Sequence, residues 1–152
     1  MVEVPAVEIP AVEILGAARL WLGTPYRHQA SCLGAGADCL GLIRGVWRTL
    51  YGAEPEHPPA YTPDWGEAEG EELLMAAALR HLDPVAEARA GDILLFRVFG
   101  KGPAKHLGIL SATGPVPRLI HAYSGHDVVE TSLTPAWERR IAGRFRFPPR
   151  GS

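Results

Sequence analysis

The chain has 152 residues, 47% of them hydrophobic and 21% charged, with 17 acidic against 15 basic side chains for a formal net charge of −2. That length suits one domain with a core of its own, and scattered charge of both signs is not the pattern of a nucleic-acid binder. No apolar run is long enough to span a membrane, and two cysteines, Cys32 and Cys39, are too few for a disulfide framework, so both are expected as free thiols.

Residues 2–14 carry a short repeat, Val-Glu-Val-Pro-Ala-Val-Glu-Ile-Pro-Ala-Val-Glu-Ile, whose two prolines favour an extended arm over residues 1–10. This stretch has neither a basic start nor an unbroken apolar run, so it is not expected to act as a secretory signal. From Ala11 the residues Val12, Leu15, Ala18 and Leu22 recur at helical spacing, ending at Gly23. A loop over residues 24–31 follows. A second helix then begins at Cys39, with Asp38 as its N-cap, Leu42, Ile43, Val46 and Leu50 as its apolar side, and Gly52 as its stop. The thiol at the positive end of that helix is expected to lean toward thiolate. Residues 53–66 hold four prolines and read as irregular, and residues 67–81 read as a third helix.

After Asp83-Pro84 the period shortens to that of strands. Residues 92–99, 106–112, 118–123, 127–131 and 143–147 are the candidates, with a short helix capped by Thr134 and started by Pro135 before the last. Helices first and strands afterwards predict an α+β domain, an antiparallel sheet of about five strands packed on the cysteine helix.

A thiol nucleophile needs a base and a third polar group that orients the base. Of six histidines, His28, His57, His81 and His126 fall in loops or at a helix end and read as exposed polar residues. His106 and His121 lie in consecutive strands around the turn Thr113-Gly114-Pro115. A hairpin centred there pairs Leu110 with Pro117, Gly108 with Leu119 and His106 with His121, and puts both imidazoles on one face. Gly108 would leave room beside them, Leu107, Ile109, Ile120 and Ala122 would face away, and Cys39 is expected to pack against the histidine face.

Five segments in this order, Gly23-Thr24-Pro25-Tyr26-Arg27, Asp38-Cys39-Leu40-Gly41-Leu42, Gly91-Asp92-Ile93-Leu94-Leu95-Phe96, His106-Leu107-Gly108-Ile109-Leu110 and Leu119-Ile120-His121-Ala122, resemble the motifs of the NlpC-type cell-wall peptidases. The likeness extends over most of the chain and is strongest to the branch carried by phages and gene-transfer particles. It implies a single papain-like domain over residues 1–152 and hydrolysis of peptidoglycan stem peptides, commonly between γ-D-glutamate and a diamino acid, with no metal or organic cofactor. It implies Cys39 as nucleophile, His106 as base and acid, His121 as the third polar residue, and Tyr26 in the cleft beside Asp38, where an oxyanion would form. Leu40 departs from the serine common in the wider family.

With no export signal in view, the resemblance implies delivery by a particle, through docking of the N-terminal arm or of the C-terminus with Arg139, Arg140, Arg144, Arg146 and Arg150 on a tail or baseplate protein. Two other readings stay open. One is a zinc site built from Cys32, Cys39 and histidines, which the missing Cys-x-x-Cys spacing disfavours. The other is a catalytically silent tail component with the same fold.

Overall fold

The computed structural model describes residues 5–56, 73–98, 104–122 and 125–151. Apolar residues about a turn apart give α1 (Ala11–Arg19) one buried side, formed by Ile14, Leu15, Ala17 and Ala18. The longer α2 (Cys39–Tyr51) buries Leu42, Ile43, Val46 and Leu50 in the same way. Its ends are those expected: Asp38 accepts a bond from Gly41 N at 2.7 Å, and Gly52 closes the helix at a φ of 92°. The turn that follows α1 meets α2 at Gly45, where an added Cβ would sit 1.9 Å from Cζ2 of Trp21. The bare backbone there lets the indole lie directly on α2. In α3 (Leu73–His81) the buried residues are Leu74 and Ala78, and residues 67–72 of the expected third helix lie outside the described residues.

The connection into α2 holds a two-stranded ribbon, β1 (Ser31–Cys32) against β2 (Gly36–Ala37). Beyond α3 come β3 (Asp83–Pro84), β4 (Ile93–Arg97), β5 (Ala104–Ala112), β6 (Arg118–His121), β7 (Val129–Ser132), α4 (Pro135–Glu138) and β8 (Ile141–Arg146). The strands form one antiparallel sheet in the order β3-β8-β4-β5-β6-β7. It has six strands rather than five, because the short Asp83–Pro84 segment pairs with Phe145 and Arg146 at the edge. Phe99 and Tyr123, expected at strand ends, lie outside the described residues.

Alternation along the strands divides the apolar side chains between the two faces. Leu42, Ile43 and Val46 of α2 share a core with Ile93, Leu95, Leu107, Ile109 and Ile120. Leu94, Phe96, Leu110, Leu119 and Leu133 form a separate cluster with Trp137 of α4 against it. The cysteine helix therefore covers the face opposite His106 and His121, not the histidine face. The register differs as well. Leu110 pairs with Leu119 and Ala112 with Arg118, and the extra residue between them, Ser111, is accommodated as a bulge. His106 is thus displaced by two residues from the position across from His121, which keeps both on one face but makes them diagonal neighbours. The space beside Gly108 is taken by Leu119, whose Cδ1 would lie 2.6 Å from an added Cβ.

The described part of the arm is pinned to the far end of the chain. Val7 N donates to Arg150 O at 2.7 Å and Arg150 N returns a bond to Val7 O at 2.9 Å, while the Arg150 guanidinium reaches Glu13 at 2.8 Å and Leu50 O at 3.2 Å. Arg146 holds Asp92 through two bonds of 2.9 Å. These two C-terminal arginines are engaged within the domain.

Gly45→Ala should lower stability by about 1–3 kcal/mol, although alanine is the better helix former, because a new methyl drives Trp21 off α2. Urea denaturation measures it, and an unchanged midpoint would mean that Trp21 moves off α2 without cost.

Candidate active site

Asp38 is buried and spends both carboxylate oxygens on backbone: Oδ1 accepts from Gly41 N at 2.7 Å and Oδ2 from Gln29 N at 2.8 Å. One side chain thus fixes the first turn of α2 and the loop before it, including Gln29, which holds a left-handed φ of 65°. Asp38 supports the cleft expected around it rather than lining it. The same loop is drawn against the helix start, since a Cβ on Gly41 would lie 1.8 Å from Ala30 O. Tyr26 forms an isolated bridge to Ala37, with Ala37 N donating to Pro25 O at 3.0 Å, which sets the Tyr26 backbone beside the residue before Asp38. Burial raises the phenol's pKa, with the Asp38 charge adding to the shift, and the Cys39 sulfur too once it is ionised.

On the sheet, β5–β6 pairing stops at Ile109 and Ile120, leaving the Ala104–Gly108 stretch of β5 beyond the last pair. The thiol of Cys39 lies on that stretch. Its Sγ is 3.9 Å from Lys105 O and takes a bond from the backbone N–H of Leu107, so the sulfur sits beside the backbone of the residue between them, His106. Cys39 thereby reaches the histidine strand although its helix packs on the other side of the sheet. From His106, Nε2 lies 2.9 Å from His121 Nδ1, and His121 Nε2 lies 3.1 Å from Thr131 Oγ1. Sequence reasoning missed Thr131, and also Trp137, whose ring centroid stands 5.3 Å from that of His106 and 6.0 Å from that of His121. Arg140 lies 5.6 Å from the centre of the same indole. The Thr134-Pro135 helix start two residues before Trp137 is the signal that could have pointed to it.

The electrostatics reverse one expectation. Burial, with Asp38 adding, pushes the Cys39 thiol up to about 12, outweighing the backbone N–H groups of Leu107, Leu40 and Cys39 itself. Burial, with His121 adding, pushes His106 down to about 3, and burial together with His126 pushes His121 down to about 4. All three shifts favour the uncharged forms, a neutral thiol and neutral imidazoles, against the thiolate expected from the helix end.

Of the remaining histidines, His126 acts on His121 through its charge, as above, and His28 and His81 lie elsewhere. His28 lies 3.9 Å from Asp38, His81 bonds Glu56 at 2.8 Å, and His57 is outside the described residues. Cys32 is exposed on β1, and both cysteines are free. Among the described residues no group of three or more His, Cys, Asp or Glu side chains could hold a metal ion, and no helix is long and apolar enough to cross a membrane.

A profile of the NlpC/P60 family matches residues 23–146. The chain belongs to the NlpC/P60 family. Its fold is similar to that of an NlpC/P60 family protein from Bacillus cereus, with a TM-score of 0.65 at 22% identity over 96% of this chain and 42% of that one. It is similar also to the NlpC/p60 domain of the peptidoglycan hydrolase SagA, with a TM-score of 0.62 at 21% identity over 91% of this chain and all of that domain. A lipoprotein-like NLP/P60 protein of Staphylococcus aureus gives 0.60 at 20% identity, over 95% of this chain and 44% of that one. The chain thus spans less than half the length of two of these proteins. No curated protein matches it.

Burial of these two histidines should make this NlpC/P60 domain acid-sensitive. Their folded pKa values lie below the ordinary 6.5, so between pH 6.5 and about 3 to 4 the unfolded chain binds protons that the folded chain refuses. Stability is full above pH 6.5 and is lost as pH falls through that window. The melting temperature should fall steadily on acidification, and His121→Asn should shallow the slope; equal slopes for both proteins would show that these imidazoles are not the groups responsible.

Proposed function

We propose that this domain is a cysteine peptidase that hydrolyses peptidoglycan stem peptides, at the bond between γ-D-glutamate and a diamino acid, with Cys39, His106 and His121 as its catalytic set. The observation that carries this reading is the thiol lying against the backbone on either side of His106, whose imidazole Nε2 is 2.9 Å from His121 Nδ1, so that Nδ1 is the ring nitrogen left to take the thiol proton. Membership of the family and the fold shared with a peptidoglycan hydrolase domain support the substrate class.

The chemistry starts from neutral partners. As Cys39 Sγ attacks the amide carbonyl, its proton passes to His106 Nδ1, and a carbon–sulfur bond forms. The developing oxyanion lies at the start of α2, where the Cys39 N–H and the Tyr26 hydroxyl stabilise it. The imidazolium then protonates the departing amine as the carbon–nitrogen bond breaks. Water, giving its proton to His106, hydrolyses the thioester and restores the thiol. His121 holds the imidazole in the orientation this sequence of transfers requires.

Digestion of purified peptidoglycan, read by mass spectrometry, tests the assignment. Cys39→Ala should abolish product with little loss of stability, and His106→Ala should cost roughly 100- to 10,000-fold in rate. His121→Asn should retain measurable activity because an amide oxygen still accepts the imidazole N–H. A fully active Cys39→Ala protein would rule out the thiol mechanism.

The proposal extends to delivery: the domain reaches the wall on a phage-like tail or baseplate, as the likeness of residues 21–29 and 38–42 to the particle-borne branch suggests. Particles purified from a producing strain should contain the protein by mass spectrometry, and its confinement to the cytosol of those cells would overturn the delivery proposal while leaving the peptidase assignment intact.

A further inference from the structure

His106, His121 and Thr131 stand on three neighbouring strands and run diagonally across one face of the sheet. Within the ladder, Val129 is the residue opposite His121, so Thr131 lies two residues past it on β7. His106 lies two residues from the opposite position on β5, on the other side. Contacts of 2.9 Å and 3.1 Å join the three side chains into one line.

We propose that Thr131 is a positioning residue that sets the tautomer of His121, and through it the nitrogen at which His106 accepts the nucleophile's proton. The inference rests on the peptidase reading above, and it follows from counting protons along the line. To receive a proton at Nδ1, neutral His106 must carry its own on Nε2. That Nε2–H points at His121 Nδ1, which must then be bare. A neutral imidazole with a bare Nδ1 carries its proton on Nε2, and that N–H needs an acceptor, which is Thr131 Oγ1. The hydroxyl is free to rotate its own hydrogen away, so it can serve as acceptor whenever the line runs in this direction. In the opposite tautomer His121 would present an N–H to His106, forcing the His106 proton onto Nδ1, the nitrogen that must be empty for attack. Burial keeps both rings neutral, so the choice of tautomer decides the chemistry, not the charge state. Thr131 touches neither substrate nor sulfur in this scheme and acts only through His121.

The test compares Thr131→Val, which keeps the shape and loses the acceptor, with Thr131→Ser, which keeps the oxygen. Long-range nitrogen–proton NMR at neutral pH reports the tautomers directly, with no substrate present. Wild type and Thr131→Ser should show His121 protonated on Nε2 and His106 on Nε2, and Thr131→Val should show a population of His121 protonated on Nδ1. With a synthetic tripeptide containing the γ-D-glutamyl-diamino acid bond, Thr131→Val should lower kcat by about five- to tenfold, the worth of one hydrogen bond, with KM unchanged. Thr131→Ser should stay within about twofold, and Thr131→Val should add nothing further in a His121→Asn background. His121 protonated on Nδ1 in the wild type, or a Thr131→Val protein with wild-type tautomers and kcat, overturns the proposal. A wild-type tautomer pattern as stated, in a protein whose Cys39→Ala variant still hydrolyses the tripeptide, overturns the peptidase reading and leaves the role of Thr131 in the line intact.

Discussion

The carboxylate of Asp38 is the constraint on which the site depends. It bonds Gly41 N within α2 and Gln29 N in the preceding loop, and through them it fixes where the helix starts and where Tyr26 stands. Ser31 Oγ donates to Gly41 O at 2.6 Å and Arg48 Nη2 reaches Ser31 O at 2.9 Å, so the loop is tied to the helix at three points. A charge buried in this way must be fully hydrogen-bonded to be tolerated. The same charge works against the neighbouring thiol, since a negative carboxylate beside sulfur disfavours thiolate. Asp38 thus secures geometry and raises the energy of the Cys39 thiolate together.

How the sulfur meets the histidines follows from the way the sheet opens. A helix packed on one face and two imidazoles on the other would be separated by backbone if every strand stayed paired. The β5–β6 ladder ends at Ile109 and Ile120 instead, and Cys39 occupies the edge of β5 exposed beyond that point. Trp137 closes the histidine side with its indole, held close to Arg140. Desolvation by the surrounding side chains and backbone is the largest reason why the thiol and both imidazoles are displaced toward neutrality.

Features set by neighbours in sequence were legible before the structure. The Asp38 cap, the Gly52 stop, and the Thr134-Pro135 start of α4 each depend on local backbone chemistry, and each stands where expected. That His106 and His121 share a face was also legible, because a register shift of two residues preserves the parity of a strand. What alternation cannot reveal is a bulge such as that at Ser111, which consumes one residue without altering the apolar pattern on either side. The side of the sheet that α2 would choose was equally hidden, since Leu107 and Leu110 are both apolar though they face opposite ways. A two-residue edge strand such as Asp83–Pro84 is too short to show a period. The acidity of Cys39 was misjudged because helix position can be read from sequence and desolvation cannot.

The clasp between Val7 and Arg150 fixes the geography of attachment. Arg150 Nη1 bonds Leu50 O and the Tyr51 hydroxyl donates to Pro148 O, so the clasp sits at the C-terminal end of the helix whose N-terminal end carries the thiol. Thirteen residues of helix at about 1.5 Å each put some 20 Å between the two. Pro5 and Gly151 accordingly lie side by side at that end of α2, and a pull applied there would turn the other end of the helix, with Cys39, away from it.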